Sequence, residues 1–112
     1  MARVVITEKL ERETNKKFKK ESIEVFKLIY SLKENPTKGK ALGHVGKILL
    51  KELKYKSFRF YFITDGQKIK VLSRDDIDGL LIKVVRMSDK KNQQKVIDEV
   101  KSILKKFGEE GF

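Results

Sequence analysis

Apolar residues along the chain follow a short β-branched run, then a helical spacing, then an alternation, then a helical spacing again. Arg3-Val4-Val5-Ile6 reads as a first strand, and Thr7 behind it is suited to cap a helix. Residues 8–34 contain no Pro or Gly and are rich in helix-favouring Lys, Glu and Leu. Their apolar residues are sparse at first (Leu10, Phe18) and dense later (Ile23, Val25, Phe26, Leu28, Ile29, Tyr30, Leu32). A single helix of that length would stretch about 40 Å at 1.5 Å per residue, too long for a small domain. Two helices folded back on each other are therefore expected, broken near Glu21-Ser22 with Ser22 capping the second.

Asn35-Pro36-Thr37-Lys38-Gly39 stops the helix, because the residue before Pro is pushed out of the helical region. Gly39, Gly43 and Gly46 suggest a flexible loop around His44. Residues 48–55, 58–64 and 68–72 favour strands, and Phe58, Phe60 and Phe62 alternate with Arg59, Tyr61 and Ile63. Asp65-Gly66 between two such runs is a hairpin signal. One face of the central strand is then aromatic core, and the other carries Arg59 and Tyr61. Residues 73–79 are ambiguous: Ser73 followed by Asp76 resembles a capping box, which allows a short helical turn. Residues 80–87 read as a buried strand, with a buried helix as the alternative. Ser88 or Asp89 then caps a last helix, whose apolar stripe is Val96, Ile97, Val100, Ile103, Leu104 and Phe107 and which Gly108 ends. The order predicts an α+β fold in one domain, residues 1–112, with helices covering one face of a mostly antiparallel sheet.

Composition narrows the chemistry. Hydrophobic residues are 39% of 112, enough for one core and too many for a disordered chain. Lys and Arg number 27 against 16 Asp and Glu, a net charge of +11 that points to a polyanionic partner, nucleic acid or an acidic protein segment. Without cysteine there is no disulfide, thiolate catalysis or zinc finger, and His44 is the lone histidine. No apolar run reaches the roughly 18 residues of a membrane span, and residues 1–5 do not read as a signal peptide. A basic, soluble, cytoplasmic domain is expected.

The ordered motifs resemble a known family. An Asn-Pro-x-x-Gly turn at residues 35–39 is followed by Glu52-Leu53-Lys54-Tyr55 and then Phe58-Arg59-Phe60-Tyr61-Phe62. Together these are similar to the RelE/ParE superfamily of toxins, in which a strand of the form Tyr/Phe-Arg-x-x-Tyr lies at the sheet centre. Asp89-Lys90-Lys91-Asn92-Gln93-Gln94-Lys95 resembles the stretch before the last helix in its addiction module killer branch. The resemblance implies a helical hairpin packed on an antiparallel sheet and membership of a toxin–antitoxin pair. It further implies either a ribosome-dependent endoribonuclease cutting mRNA or, as in the ParE branch, a non-enzymatic poison of DNA gyrase. A degenerate member that binds only antitoxin or nucleic acid is the third alternative. Arg59 matches the family's sheet arginine, Arg86 lies where a second catalytic arginine is placed, and Lys54 lies on the lysine-bearing strand. Glu52 stands where the best-known RelE branch is basic, and no Tyr or His follows the last strand.

Cleavage of this kind needs the 2′-OH activated, negative charge on phosphorus stabilised and the leaving 5′-oxygen protonated. Guanidinium groups stay charged and bind phosphate oxygens bidentately, so Arg59 and Arg86 suit the second task. Lys54 or Tyr61 is the expected proton carrier. Lys56, Lys90, Lys91 and Lys95 are expected to hold RNA. The same pattern admits plainer roles: Arg59 paired with Glu52 across the sheet, Tyr61 as packing, Lys54 and Lys56 as one side of a half-exposed strand, and His44 at the surface without a task. Neither a metal nor an organic cofactor is required by these residues. The expected partners are an antitoxin, the ribosome and mRNA.

Overall fold

A computed structural model of the protein describes residues 1–70 and 77–112. The chain runs β1 (Arg3–Ile6), α1 (Glu8–Phe18), α2 (Ser22–Tyr30), β2 (Lys40–Val45), β3 (Ile48–Tyr55), β4 (Phe58–Asp65), α3 (Gly66–Lys70), β5 (Leu81–Asp89) and α4 (Gln93–Phe107). The expected turn at residues 73–79 falls largely outside the described residues.

The α1–α2 break runs over Lys19–Glu21, with α2 starting at Ser22 as expected, and it has a backbone cause. Thr7 caps α1, its Oγ1 accepting from the Leu10 N–H at 3.4 Å. The helix ends where Lys19 takes φ 51° and ψ −118°, a conformation that cannot continue it. A single 3₁₀ turn over Lys19–Glu21 leads into α2. Ser22 is buried in the first turn of α2 and does not act as its cap, since no side chain bonds the backbone there.

The strands form one mixed sheet in the order β1-β5-β4-β3-β2. β1 runs parallel to β5, and the other pairings are antiparallel. The middle strand is β4, where Phe60, Tyr61 and Phe62 are all fully buried. Both of its faces are therefore core, which corrects the expectation that helices cover one face only. On the first face Phe60 and Phe62 meet Leu10, Val25, Ile29 and Leu32 of the helical hairpin and its end. On the second, Tyr61 and Ile63 join Leu50 and Val85 beneath Ile97, Val100 and Leu104 of α4. The α4 stripe stops short of Phe107, which is exposed; Gly108 at φ 64° reverses the chain, and Phe112 packs against this second core instead.

Two stretches depart from the sequence pattern. Residues 40–45 are an edge strand rather than a loop, because pairing with β3 supplies the order that their glycines do not. Its register shifts between Ala41 and Gly43, a bulge of the kind that blunts a free sheet edge. Asp65-Gly66 opens helix α3 over Gly66–Lys70 rather than a hairpin, and the rest of the strand expected at 68–72 lies outside the described residues. The Asp65 carboxylate accepts from the N–H groups of Gln67 and Lys68 at 2.9 and 3.1 Å, so the residue acts as a helix cap. These bonds, the Lys68 one foremost, hold the carboxyl below its ordinary range. A depressed folded value stabilises the native state above the unfolded pKa and ceases to do so as pH falls through the folded one. Asp65→Ala is expected to cost about 1 kcal/mol in urea unfolding at neutral pH. That difference should shrink as pH falls into the acid range, and a pH-independent difference would exclude the capping role.

Candidate functional site

The α4 face of the sheet is only partly covered. Past Leu50 and Ile63 the alternation of β3 and β4 places Glu52, Lys54 and Arg59 on this same face. β2 begins at Lys40, opposite Glu52, so residues 53–55 have no partner on that strand. The gap is a groove of about 360 Å³ lined by Lys38, Gly39, Lys40, Glu52, Leu53, Lys54 and Arg59.

The electrostatics of this groove are unusual for a resting sheet. Lys54 and Arg59 are direct cross-strand partners, and like charges so placed repel. Neither makes an ion pair among the described residues. The Arg59 guanidinium donates a single hydrogen bond, to the Phe58 carbonyl at 3.2 Å, which leaves most of its fork free. Glu52 is the one acidic side chain in the lining, against three lysines and an arginine. Such a site can bind an anion through guanidinium and ammonium groups and hold a carboxylate beside it.

Of the residues expected to carry chemistry, Arg59 and Lys54 meet in the groove and two others are committed elsewhere. Tyr61 is fully buried beneath α4, its hydroxyl 2.7 Å from Ser88 Oγ. Burial, more than any neighbour, pushes the phenol above its ordinary value. It is packing, and a closed-off phenol of this kind is poorly placed to shuttle protons.

Arg86 owes its position to a bulge: Tyr61 pairs with Arg86 and Phe62 with Val84, leaving Val85 as the extra residue in β5. The bulge brings Arg86 onto the α4 face, where its Nε lies 3.8 Å from Glu99 of α4. Its guanidinium also sits 5.1 Å from the Phe112 ring centroid and donates to the Val85 carbonyl at 2.8 Å. Arg86 thus ties β5 to α4 and the end of the described chain.

The expected RNA-holding lysines divide as well. Lys56 sits in the two-residue turn between β3 and β4, paired with Glu21 on the hairpin side. Lys90 and Lys91 are exposed in the turn between β5 and α4. That turn is organised by Asp89, which accepts from the Asn92 N–H and side-chain amide, each at 2.8 Å. Its carboxyl is held below the ordinary range by those bonds first and then by Lys17 and Lys91. Lys95 is exposed on α4. His44 is exposed on the edge strand, its ring beside Gly66.

Sequence reasoning missed Glu52, Lys38 and Lys40 as parts of one site. For Glu52 a signal was present, since it shares the period-two face of Lys54; Lys38 and Lys40 join only once β2 pairs with β3. Among the described residues no group of His, Asp and Glu side chains is arranged to hold a metal ion. No helix there is long and apolar enough to cross a membrane. Comparison with protein-family models, with curated proteins and with solved structures yields no match.

The packing role of Tyr61 has a direct check. Tyr61→Phe should lower stability by about 1 kcal/mol in chemical unfolding, because it leaves the buried Ser88 hydroxyl without its partner. Adding Ser88→Ala should recover most of that loss. A single variant as stable as the wild type would mean the hydroxyl pair contributes nothing.

Proposed function

We propose that the protein is a RelE-like toxin, a ribosome-dependent endoribonuclease of the cytoplasm that cleaves mRNA and is neutralised by an antitoxin. The observation that carries this reading is the open groove in which Lys54 faces Arg59 across the strands, with Glu52 beside them. The helical hairpin on a largely antiparallel sheet, with the arginine-bearing strand in the middle, agrees with the fold that the sequence resemblance implies.

In this reading the Glu52 carboxylate accepts the 2′-OH proton as the 2′-oxygen attacks phosphorus. The P–O5′ bond breaks, leaving a 2′,3′-cyclic phosphate on one fragment, and the departing oxygen takes a proton from the Lys54 ammonium. Arg59 binds the equatorial oxygens as their charge grows; one preorganised donor of this kind is worth about 3–4 kcal/mol. The ribosome supplies the in-line orientation of the RNA. Lys54 keeps the proton-carrying role expected of it or of Tyr61, Glu52 adds the base, and Arg86 serves the fold. The antitoxin lays acidic and apolar residues over the Arg59 face.

One observation favours the rival reading, a binding poison acting on gyrase: Arg86 and Tyr61 are both held in structural contacts. Primer extension on message from translating extracts separates the two. Cleavage at fixed positions within codons, absent without ribosomes, is expected, with Arg59→Ala and Glu52→Gln each lowering it about 10²–10³-fold. Intact message at protein levels that arrest growth would replace the nuclease with the poison, and a gyrase supercoiling assay would then identify its target.

A further inference from the structure

Lys51 is the one lysine in the buried part of the described chain, at 5% relative exposure. Its neighbours in sequence, Leu50 and Glu52, face α4, so Lys51 points to the opposite side of the sheet, where it is the register partner of Phe62. There its Nζ donates to the Thr37 carbonyl at 2.8 Å and lies 5.8 Å from the Phe62 ring centroid. Burial pushes this ammonium below the usual lysine range. The bond to the Thr37 carbonyl offsets part of the cost of placing a charge there.

That bond fastens the connection between the helical hairpin and β2. Pro36 is buried, and the Lys38 N–H closes a turn on the Asn35 carbonyl at 3.1 Å. Gly39 has φ 103°, and a Cβ there would stand 2.7 Å from the Glu52 carbonyl oxygen and 3.0 Å from the Phe62 ring. The segment is thus drawn onto β3 at Thr37 and again at Gly39. Lys38 and Lys40 flank the second of these points, and both line the groove that holds Lys54 and Arg59.

We infer that Lys51 is a positioning residue: by holding the Thr37 carbonyl it sets Lys38 and Lys40 as the outer wall of the groove on the far side of the sheet. The inference rests on the reading of that groove as a phosphodiester site, and it adds a residue that never touches the RNA. The tether is local and independent of the chemistry, so its failure and the failure of that reading are distinguishable.

The test compares wild type with Lys51→Met, which keeps the stem and removes the ammonium, in the full chain. Amide hydrogen exchange at residues 35–40 should rise while exchange in β4 stays unchanged. Affinity for a fluorescein-labelled single-stranded RNA dodecamer, read by anisotropy at fixed salt, should fall about tenfold. In a Lys38→Ala/Lys40→Ala background the same substitution should change affinity by less than about twofold, because the wall it positions is already gone. Unchanged exchange at 35–40 would overturn the inference, as would an equal loss of affinity in that background. Raised exchange in a protein whose wild type ignores the RNA would support the tether and overturn the phosphodiester reading alone. Should Lys51→Met not fold, ammonium-detected NMR of the wild type decides. A Lys51 signal protected from solvent supports the tether, and one exchanging like the surface lysines overturns it.

Discussion

Burial of β4 on both faces is the constraint on which the rest of the molecule depends. Phe60 and Phe62 on one side and Tyr61 and Ile63 on the other must all leave water. At about 1.5–3 kcal/mol per large apolar side chain, neither face can be left bare in a domain this small. The helical hairpin covers one face and α4 the other, so the chain is a three-layer arrangement around its middle strand. On the α4 face the buried side chains of β4 end at Tyr61; Arg59 and Lys54 lie beyond it, and the groove opens there.

Charge is distributed to match. Ion pairs hold structural joints: Arg86 with Glu99 between β5 and α4, and Lys56 with Glu21 between the β3–β4 turn and the helical hairpin. The groove cations make no such pair among the described residues, and two of them repel directly across the strands. Repulsion between Lys54 and Arg59 costs stability that an apolar or oppositely charged pair would not. A bound anion between the two groups would relieve that repulsion, and Arg59 is already half-buried with one hydrogen bond to the Phe58 carbonyl. A protein of net charge +11 attracts polyanions over its whole surface; this groove is where three lysines and an arginine are gathered beside one carboxylate.

Much of the architecture was legible in the amino-acid sequence, and the misreadings have physical causes. The alternation of Phe58, Phe60 and Phe62 with Arg59, Tyr61 and Ile63 located β4 well, and the cap at Thr7, the strand near 80–87 and the end of α4 at Gly108 were all visible. Alternation does not say whether the second face is also covered, so Tyr61 was expected beside Arg59 as a proton carrier and lies instead under α4. Asp-Gly serves both a tight hairpin and a helix cap, and only the Asp65 bonds to Gln67 and Lys68 decide between them. The glycines of residues 39–46 lowered strand propensity that pairing with β3 then overrode. Of the site, Arg59 and Lys54 were readable from pattern and resemblance. Glu52 stood in plain view on the same face, whereas Lys38, Lys40 and the buried Lys51 depend on a long-range register.

Amide NMR of the labelled protein titrated with a short single-stranded RNA tests the central claim most directly, because it locates binding without presupposing catalysis. The account predicts shifts gathered at residues 38–40, 52–54 and 59, saturating together and weakening as salt is raised. Shifts confined to the outer surface of α1 and α2, or spread evenly over the lysines with no cluster around Arg59, would contradict it.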